Sequence, residues 1–200
     1  MPESDRNAGG PAAAANNDAA TEGNAAATGP GAGSSRVLVK MIAVFLLIFG
    51  SFYLWGTTES YQEHVFAPYL VINADLSGDI LNALGQKVIV DGPHISSSRF
   101  NVTIARGCDG LPPMALFLAA LGAFPAPVLL KLPALLICLP ILAAFNLVRI
   151  VSLFLVGVYY PDYFHVMHVD VWQALYILFG VVLFCLWLWW ASGRSARVPT

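Results

Sequence analysis

The sequence predicts an all-α integral membrane protein: a bundle of four transmembrane helices with an outer amphipathic helix and a small two-stranded β ribbon. Three observations carry this reading. Hydrophobic residues make up 58% of the 200 residues and charged residues only 11%, against roughly 25% charged in a soluble domain. Mean hydropathy is +0.69. The apolar residues also gather into four segments bounded by proline, glycine and basic residues. A net charge of −2 with few, scattered basic residues argues against binding driven by nucleic-acid phosphates.

Residues 1–35, rich in Ala, Gly, Asn, Pro and Ser, hold almost no large apolar side chains and cannot bury enough surface to offset chain entropy. They read as a disordered cytoplasmic tail. The membrane domain is expected over 36–192, followed by a short cytoplasmic tail at 193–200. Within it, 37–55 is long enough at about 1.5 Å per residue to cross roughly 30 Å of hydrocarbon. Segment 111–124 is short, opened by Pro112-Pro113, which suit a first helical turn, and closed by Pro125 and Pro127. Segment 131–160 exceeds a perpendicular span, so tilt and kinks at Pro133 and Pro140 are expected. Segment 171–191 ends in Trp187, Trp189 and Trp190, an interfacial belt.

Between the first two spans lies an outer segment, 57–110. From Tyr61 to Leu84, apolar residues Val65, Tyr69, Ile72, Leu76, Ile80, Leu81 and Leu84 recur at helical spacing, suggesting a helix on or against the membrane. Lys87-Val-Ile-Val, a turn at Asp91-Gly92-Pro93, and alternating apolar residues from Arg99 to Ala105 read as two strands that deliver the chain to Cys108. Asn101-Val102-Thr103 matches a glycosylation sequon, a pattern short enough to arise by chance.

Arg36 and Lys40 at the first span, Lys131 between the second and third, and Arg194 and Arg197 after the fourth fall on one side of a four-span chain. The positive-inside rule makes that side cytoplasmic, so both termini are inside and 57–110 and 161–170 outside. Lys87, Arg99 and Arg106 oppose this bias.

Arg149 is the exceptional residue. It sits in an apolar run, Leu129 to Tyr160, whose only other charge is Lys131, and a charge there costs roughly 2.5–3.5 kcal/mol on insertion scales. Helix rise places it in company. Cys108 lies 17 residues before Pro125, Arg149 18 beyond Lys131, and His168 21 before Trp189, or roughly 25, 27 and 31 Å above the cytoplasmic side. A thiolate is a strong nucleophile, but an ordinary cysteine is mostly protonated near pH 7 and needs a base or a nearby cation. His168 can take the proton and return it to a leaving amine. Arg149 keeps its charge and can hold a thiolate or an oxyanion. Asp109 would raise the thiol pKa, or else cap the next helix or anchor a basic side chain.

Blander readings stand beside these. Cys138 and Cys185, within apolar runs, read as inert small hydrophobes, and three cysteines form no disulfide framework. Arg149 could make a structural ion pair with Asp162 or Asp170, the mark of a non-catalytic membrane assembly subunit. His165 and His168 offer half a metal site, but no further ligand completes a zinc pattern, and no cofactor is called for. A transporter or proton relay would need more buried acids than these spans hold.

Three stretches resemble the exosortase/archaeosortase family: Arg106-Gly-Cys108-Asp-Gly-Leu opening an apolar helix, Asn146-Leu-Val-Arg149-Ile inside the next, and Phe164-His-Val-Met-His168-Val-Asp-Val-Trp-Gln before the last. The resemblance covers roughly residues 37–191. The short four-span layout and the Cys-Asp-Gly-Leu and Val-Trp-Gln wording are most similar to exosortase H. It implies a membrane-embedded cysteine protease or transpeptidase of the bacterial cytoplasmic (inner) membrane, its active site facing the periplasm. Its partners would be exported proteins with a C-terminal sorting tail of short motif, transmembrane helix and basic cluster, cut near the motif and passed to a cell-surface acceptor. By the same resemblance Cys108 is the nucleophile, Arg149 the electrostatic partner and His168 the base, with His165 a possible alternative base. The tail motif would be of the Ile-Pro-Thr-Leu type. Asp109, where a small residue is common, and the second histidine, His165, depart from the usual wording and leave nucleophile activation and the choice of base open.

Overall fold

The computed structural model describes residues 31–195. The tail read at 1–35 therefore lies mostly outside the described residues, as do positions 196–200. Helix α1, Gly31–Trp55, begins inside the segment expected to be tail. Extending a helix by a residue costs far less than nucleating one, so an apolar helix can run back through Gly, Ala and Ser.

Next come α2, Glu59–Tyr61, a π-helical turn at Gln62–Phe66, and α3, Ala67–Ala83. Thr58 starts this segment by accepting a hydrogen bond from the Tyr61 N–H. Its periodicity is real, but of the periodic apolar residues only Leu81 is fully buried. Leu70, Asn73, Ala74, Ser77, Gly78 and Leu81 face the protein, while Val65, Ile72, Leu76, Ile80 and Leu84 stay exposed. That exposed stripe is what a helix against a bilayer needs.

The expected two-stranded ribbon is instead a three-stranded antiparallel sheet in the order β1-β2-β3: β1 at Ile89–Asp91, β2 at His94–Ser96 and β3 at Asn101–Thr103. Gly92, with φ +56°, allows a turn so tight that β2 starts immediately after it. Two close approaches seat the sheet. A Cβ on Gly78 would lie 2.3 Å from Val90, and one on Gly157 2.4 Å from the Phe100 ring, so β1 rests on α3 and the start of β3 on α5, Val128–Tyr159.

Three helical stretches are long and apolar enough to cross a membrane: Ser34–Trp55, Val128–Tyr159 and Pro161–Arg194. The fourth expected span, helix α4 at Leu111–Ala123, has 13 residues and covers only about 20 Å. It is braced by its neighbours, packing against α1, α5 and α7, Trp172–Ser195. Lys131 Nζ donates to the Gly122 carbonyl at 3.0 Å, satisfying an acceptor left free at the helix end. Helix α5 runs unbroken through Pro133 and Pro140. The stretch expected as an outer loop at 161–170 is also helical: a 3₁₀ turn at Pro161–Tyr163, then α6, Phe164–Val166, and a π-helical segment, Met167–Val171, leading into α7.

Two apolar cores result. One joins α3, the sheet and the second half of α5 around Leu81, Ile95, Ile104 and Phe154. The other joins α4, the first half of α5 and α7 around Phe117, Cys138, Leu142 and Trp187.

Candidate active site

The buried polar residues Asn73, Ser77, Asp109, Asn146 and Arg149 belong to neither core. Four of them meet where the chain turns from the sheet into α4. Gly107 and Gly110 both have positive φ, +97° and +74°. Gly110 is also needed for space, because a Cβ there would lie 2.8 Å from Asn146 Cγ and from the Tyr176 hydroxyl oxygen. Asp109 is 1% exposed and closes the turn with both carboxylate oxygens: Oδ1 accepts from the Leu111 N–H at 2.9 Å and Oδ2 from the Gly107 N–H at 3.3 Å. The first bond satisfies a free donor at the start of α4, the capping role open in the sequence. The Asp109 carbonyl accepts from the Tyr69 hydroxyl at 2.8 Å and from Asn146 Nδ2 at 3.1 Å. The turn carrying Cys108 is thus fixed from α3, α4 and α5 together.

Arg149 stands one turn beyond Asn146 on α5, on the same face. It is 2% exposed and donates from Nη1 to the Gly107 carbonyl at 3.2 Å. Its hydrogen bond goes to the cysteine turn and not to Asp162 or Asp170. Its Nε has no partner among the described residues.

Cys108 is half-buried, with Sγ 3.3 Å from His168 Nε2 and 3.5 Å from Nδ1. Near-equal distances mean that the sulfur is not in line with the lone pair of one nitrogen, so rotation of the imidazole decides which nitrogen meets the thiol. His168 lies in the π-helical segment, a device that re-aims side chains in a helix and recurs at functional sites. The Phe164 ring lies nearly parallel to it, 4° between planes and 5.7 Å between centroids, and Phe164 touches Phe100 at 5.2 Å. The sheet therefore helps hold the imidazole. His165 is exposed and makes none of the contacts to the sulfur. Burial pushes the Cys108 thiol pKa up, Arg149 pulls it down, and Asp109 pushes it up again. Burial likewise raises the Asp109 carboxyl above its usual range, against the lowering effect of its two N–H bonds and of Arg106 and Arg149.

Cys138 is buried in the second core and Cys185 exposed on α7. Among the described residues no cluster of three or more His, Cys, Asp or Glu side chains could hold a metal ion. Asn73, Tyr69 and Tyr176 had no place in the sequence reading of the site. The spacing of Asn146 and Arg149 by three on one helix was the available signal for Asn146.

A cavity of about 460 Å³ opens beside the sulfur, lined by residues 100–106, Cys108, Ile150, Leu153, Phe164 and His168. Its size falls within the roughly 300–1,000 Å³ of ligand sites.

Fold and site together define a helical membrane protein in which a thiol, an imidazole and a buried guanidinium converge at one end of the bundle. The chain matches the family described as transmembrane exosortase (EpsH) over residues 31–189 and belongs to that family. It is accordingly a multi-pass membrane protein of the protein-sorting transpeptidase class, whose members act on membrane-anchored substrates with C-terminal sorting signals. No curated protein and no solved structure matches it.

Proposed function

We propose that this chain is a membrane-embedded cysteine transpeptidase that cuts the C-terminal sorting tail of exported proteins, with Cys108 as nucleophile, His168 as base and Arg149 as electrostatic partner. The observation that carries the reading is the approach of Cys108 Sγ to 3.3 Å from His168 Nε2 while Arg149 is buried against the Gly107 carbonyl of the same turn. His168 takes the thiol proton and the thiolate attacks the scissile carbonyl carbon. The tetrahedral oxyanion collapses, expelling the amine of the tail, which leaves with the proton from His168. A thioester to Cys108 remains; a nucleophilic group of the surface acceptor attacks it, giving its proton to His168, and the C–S bond breaks so that the Cys108 thiolate leaves, takes that proton and is restored as a thiol. Arg149 has an unpartnered N–H at Nε, a donor of the kind that stabilises a developing oxyanion.

The orientation follows from charge. Lys131 and Arg194 lie towards one end of the bundle, where Trp187 Nε1 donates to the Leu130 carbonyl at 2.8 Å. With that end cytoplasmic, the cysteine turn faces the periplasmic side of the inner membrane, where a tail with its own helix emerges from the bilayer. The Cys-Asp-Gly-Leu and Val-Trp-Gln wording supports the exosortase H branch and an Ile-Pro-Thr-Leu-type motif in the tail.

The test is co-expression with an exported protein ending in such a motif, an apolar helix and a basic cluster. The wild-type chain shortens it by the mass of the tail, and Cys108→Ala leaves it whole. Shortening that survives in the Cys108→Ala variant rules out the thiol mechanism.

A further inference from the structure

We propose that the segment of substrate next to the scissile bond binds as a fourth strand, added to the open edge of β3. The inference rests on the proposed thiol chemistry and names how its peptide is held.

Strand β3 is the last in the sheet order, so one of its edges has no strand partner. Its hydrogen-bonding register identifies the groups on that edge. The Phe100 carbonyl accepts from the Ser97 N–H at 3.0 Å, the Ile104 N–H donates to the Pro93 carbonyl at 2.9 Å, and Val102 pairs with Ile95. Residues 100, 102 and 104 therefore turn their backbone groups towards β2. In an antiparallel ladder the alternate residues point theirs the other way, so the N–H and C=O groups of Asn101 and Thr103 face the open edge.

That edge borders the cavity beside Cys108. All six residues from Phe100 to Ala105 line it. A strand that showed a cavity one face would contribute only every second residue. An unbroken run that includes all three residues of β3 is what a presented backbone edge gives. Cys108, His168, Ile150, Leu153 and Phe164 line the same cavity, so a peptide paired to Asn101 and Thr103 runs past the sulfur within one continuous space. Edge strands are usually protected against such pairing, and strand addition is a common way to bind extended peptides regardless of their side chains.

The preferred occupant follows from the same cavity lining. Side chains of an added strand alternate between faces. Those on the face shared with Phe100, Val102 and Ile104, which pack on the first core, meet Ile150, Leu153 and Phe164. The bound peptide is thus extended, with apolar residues at every second position on that side.

The experiment is disulfide crosslinking in membranes, using the full chain carrying Cys108→Ala, Cys138→Ala, Cys185→Ala and Thr103→Cys. The probe is a co-expressed reporter ending in an Ile-Pro-Thr-Leu motif, an apolar helix and a basic cluster, with a single cysteine walked through the residues around the motif. Strand addition gives crosslinks at alternate reporter positions, at least about fivefold above those between them, and moving the partner cysteine from Thr103 to Asn101 shifts the maximum by two residues. Crosslinks without alternation, or none in a reporter that the wild-type chain cuts, overturn strand docking. Cutting that persists in the Cys108→Ala variant instead overturns the thiol reading, so the two failures are told apart.

Discussion

Each of the two apolar cores has a cysteine, and the two thiols have opposite surroundings. Cys138 is packed among apolar side chains of the second core, which includes Leu142, Leu183 and Trp187. Cys108 lies at the border of the other core, on a turn tied to Tyr69, Asn146 and Arg149 and 3.3 Å from an imidazole. Cys138 is buried and Cys108 half-buried, so both thiols lose contact with water and burial alone does not mark a reactive cysteine. The difference lies in what the fold places near the sulfur: apolar side chains around one, an imidazole and a buried guanidinium around the other.

The largest expected effect breaks the comparison at the sulfur atoms. Cys108→Ala should lower tail processing by at least about 10³-fold, as loss of a covalent nucleophile does, while Cys138→Ala leaves the rate within about twofold. Mass spectrometry of a co-expressed reporter reads both, and comparable losses in the two variants would remove the distinction. Next comes the cation. Arg149→Met should cost roughly 10²–10³ in rate, the effect of losing an oxyanion donor, and Arg149→Lys should recover little of it, since an ammonium cannot reproduce the planar fork. Because Arg149 lowers the Cys108 pKa, its removal should also shift the pH profile of Cys108 alkylation to higher pH. Full activity in Arg149→Lys would make the residue a structural plug.

Much of this contrast was readable in the chain and part of it was not. Membrane helices cross a layer of known thickness, so counting residues back to a basic or aromatic end converts sequence into depth. That is why Cys108, Arg149 and His168 could be set at one level. The same reasoning expected a fourth span at α4, whose 13 residues are shorter than the roughly 20 of an ordinary crossing and are flanked by α1, α5 and α7. The supporting shell was hidden for a different reason. In and beside α3 most of the periodic large apolar residues are exposed, and the protein-facing side carries Asn73, Ser77 and Gly78 beside Leu70, Ala74 and Leu81. Apolar periodicity marks the buried face of a helix in water, and it marks the outer face where the surroundings are themselves apolar. Strand β2 escaped notice because three residues directly after a turn give no alternation to detect. The π-helical setting of His168 carries no composition signal that periodicity could detect.

Glycines sharpen the comparison at smaller scale. Gly110, at φ +74° and with Asn146 and Tyr176 within 2.8 Å of any added Cβ, should not tolerate alanine. Gly110→Ala should destabilise the protein by roughly 1–3 kcal/mol through backbone strain, and more if the clash forces Asn146 aside. Gly180 is helical, on the α7 side of the second core, with nothing within 4 Å of an added Cβ. Gly180→Ala should leave stability unchanged or raise it by about 0.5–1 kcal/mol. Thermal inactivation in detergent compares the two, and equal behaviour would mean that the cysteine turn is not rigidly specified.

The smallest effect concerns Asp109, whose two roles pull apart on substitution. As a helix-start acceptor it is only half replaced by asparagine, which keeps one carboxyl-type oxygen where two accept from Leu111 and Gly107. Asp109→Asn should therefore cost about 1 kcal/mol of stability. As a charge it raises the Cys108 pKa, so its removal should shift the alkylation midpoint to lower pH, opposite to the shift from Arg149→Met. A thiolate that forms more readily is also a weaker nucleophile, so the rate of tail processing should change by less than the alkylation midpoint implies. If the midpoint instead rises or stays put, the carboxylate is not the opposing charge at the sulfur. The contrast between the two cysteines would then rest on His168 and Arg149 alone.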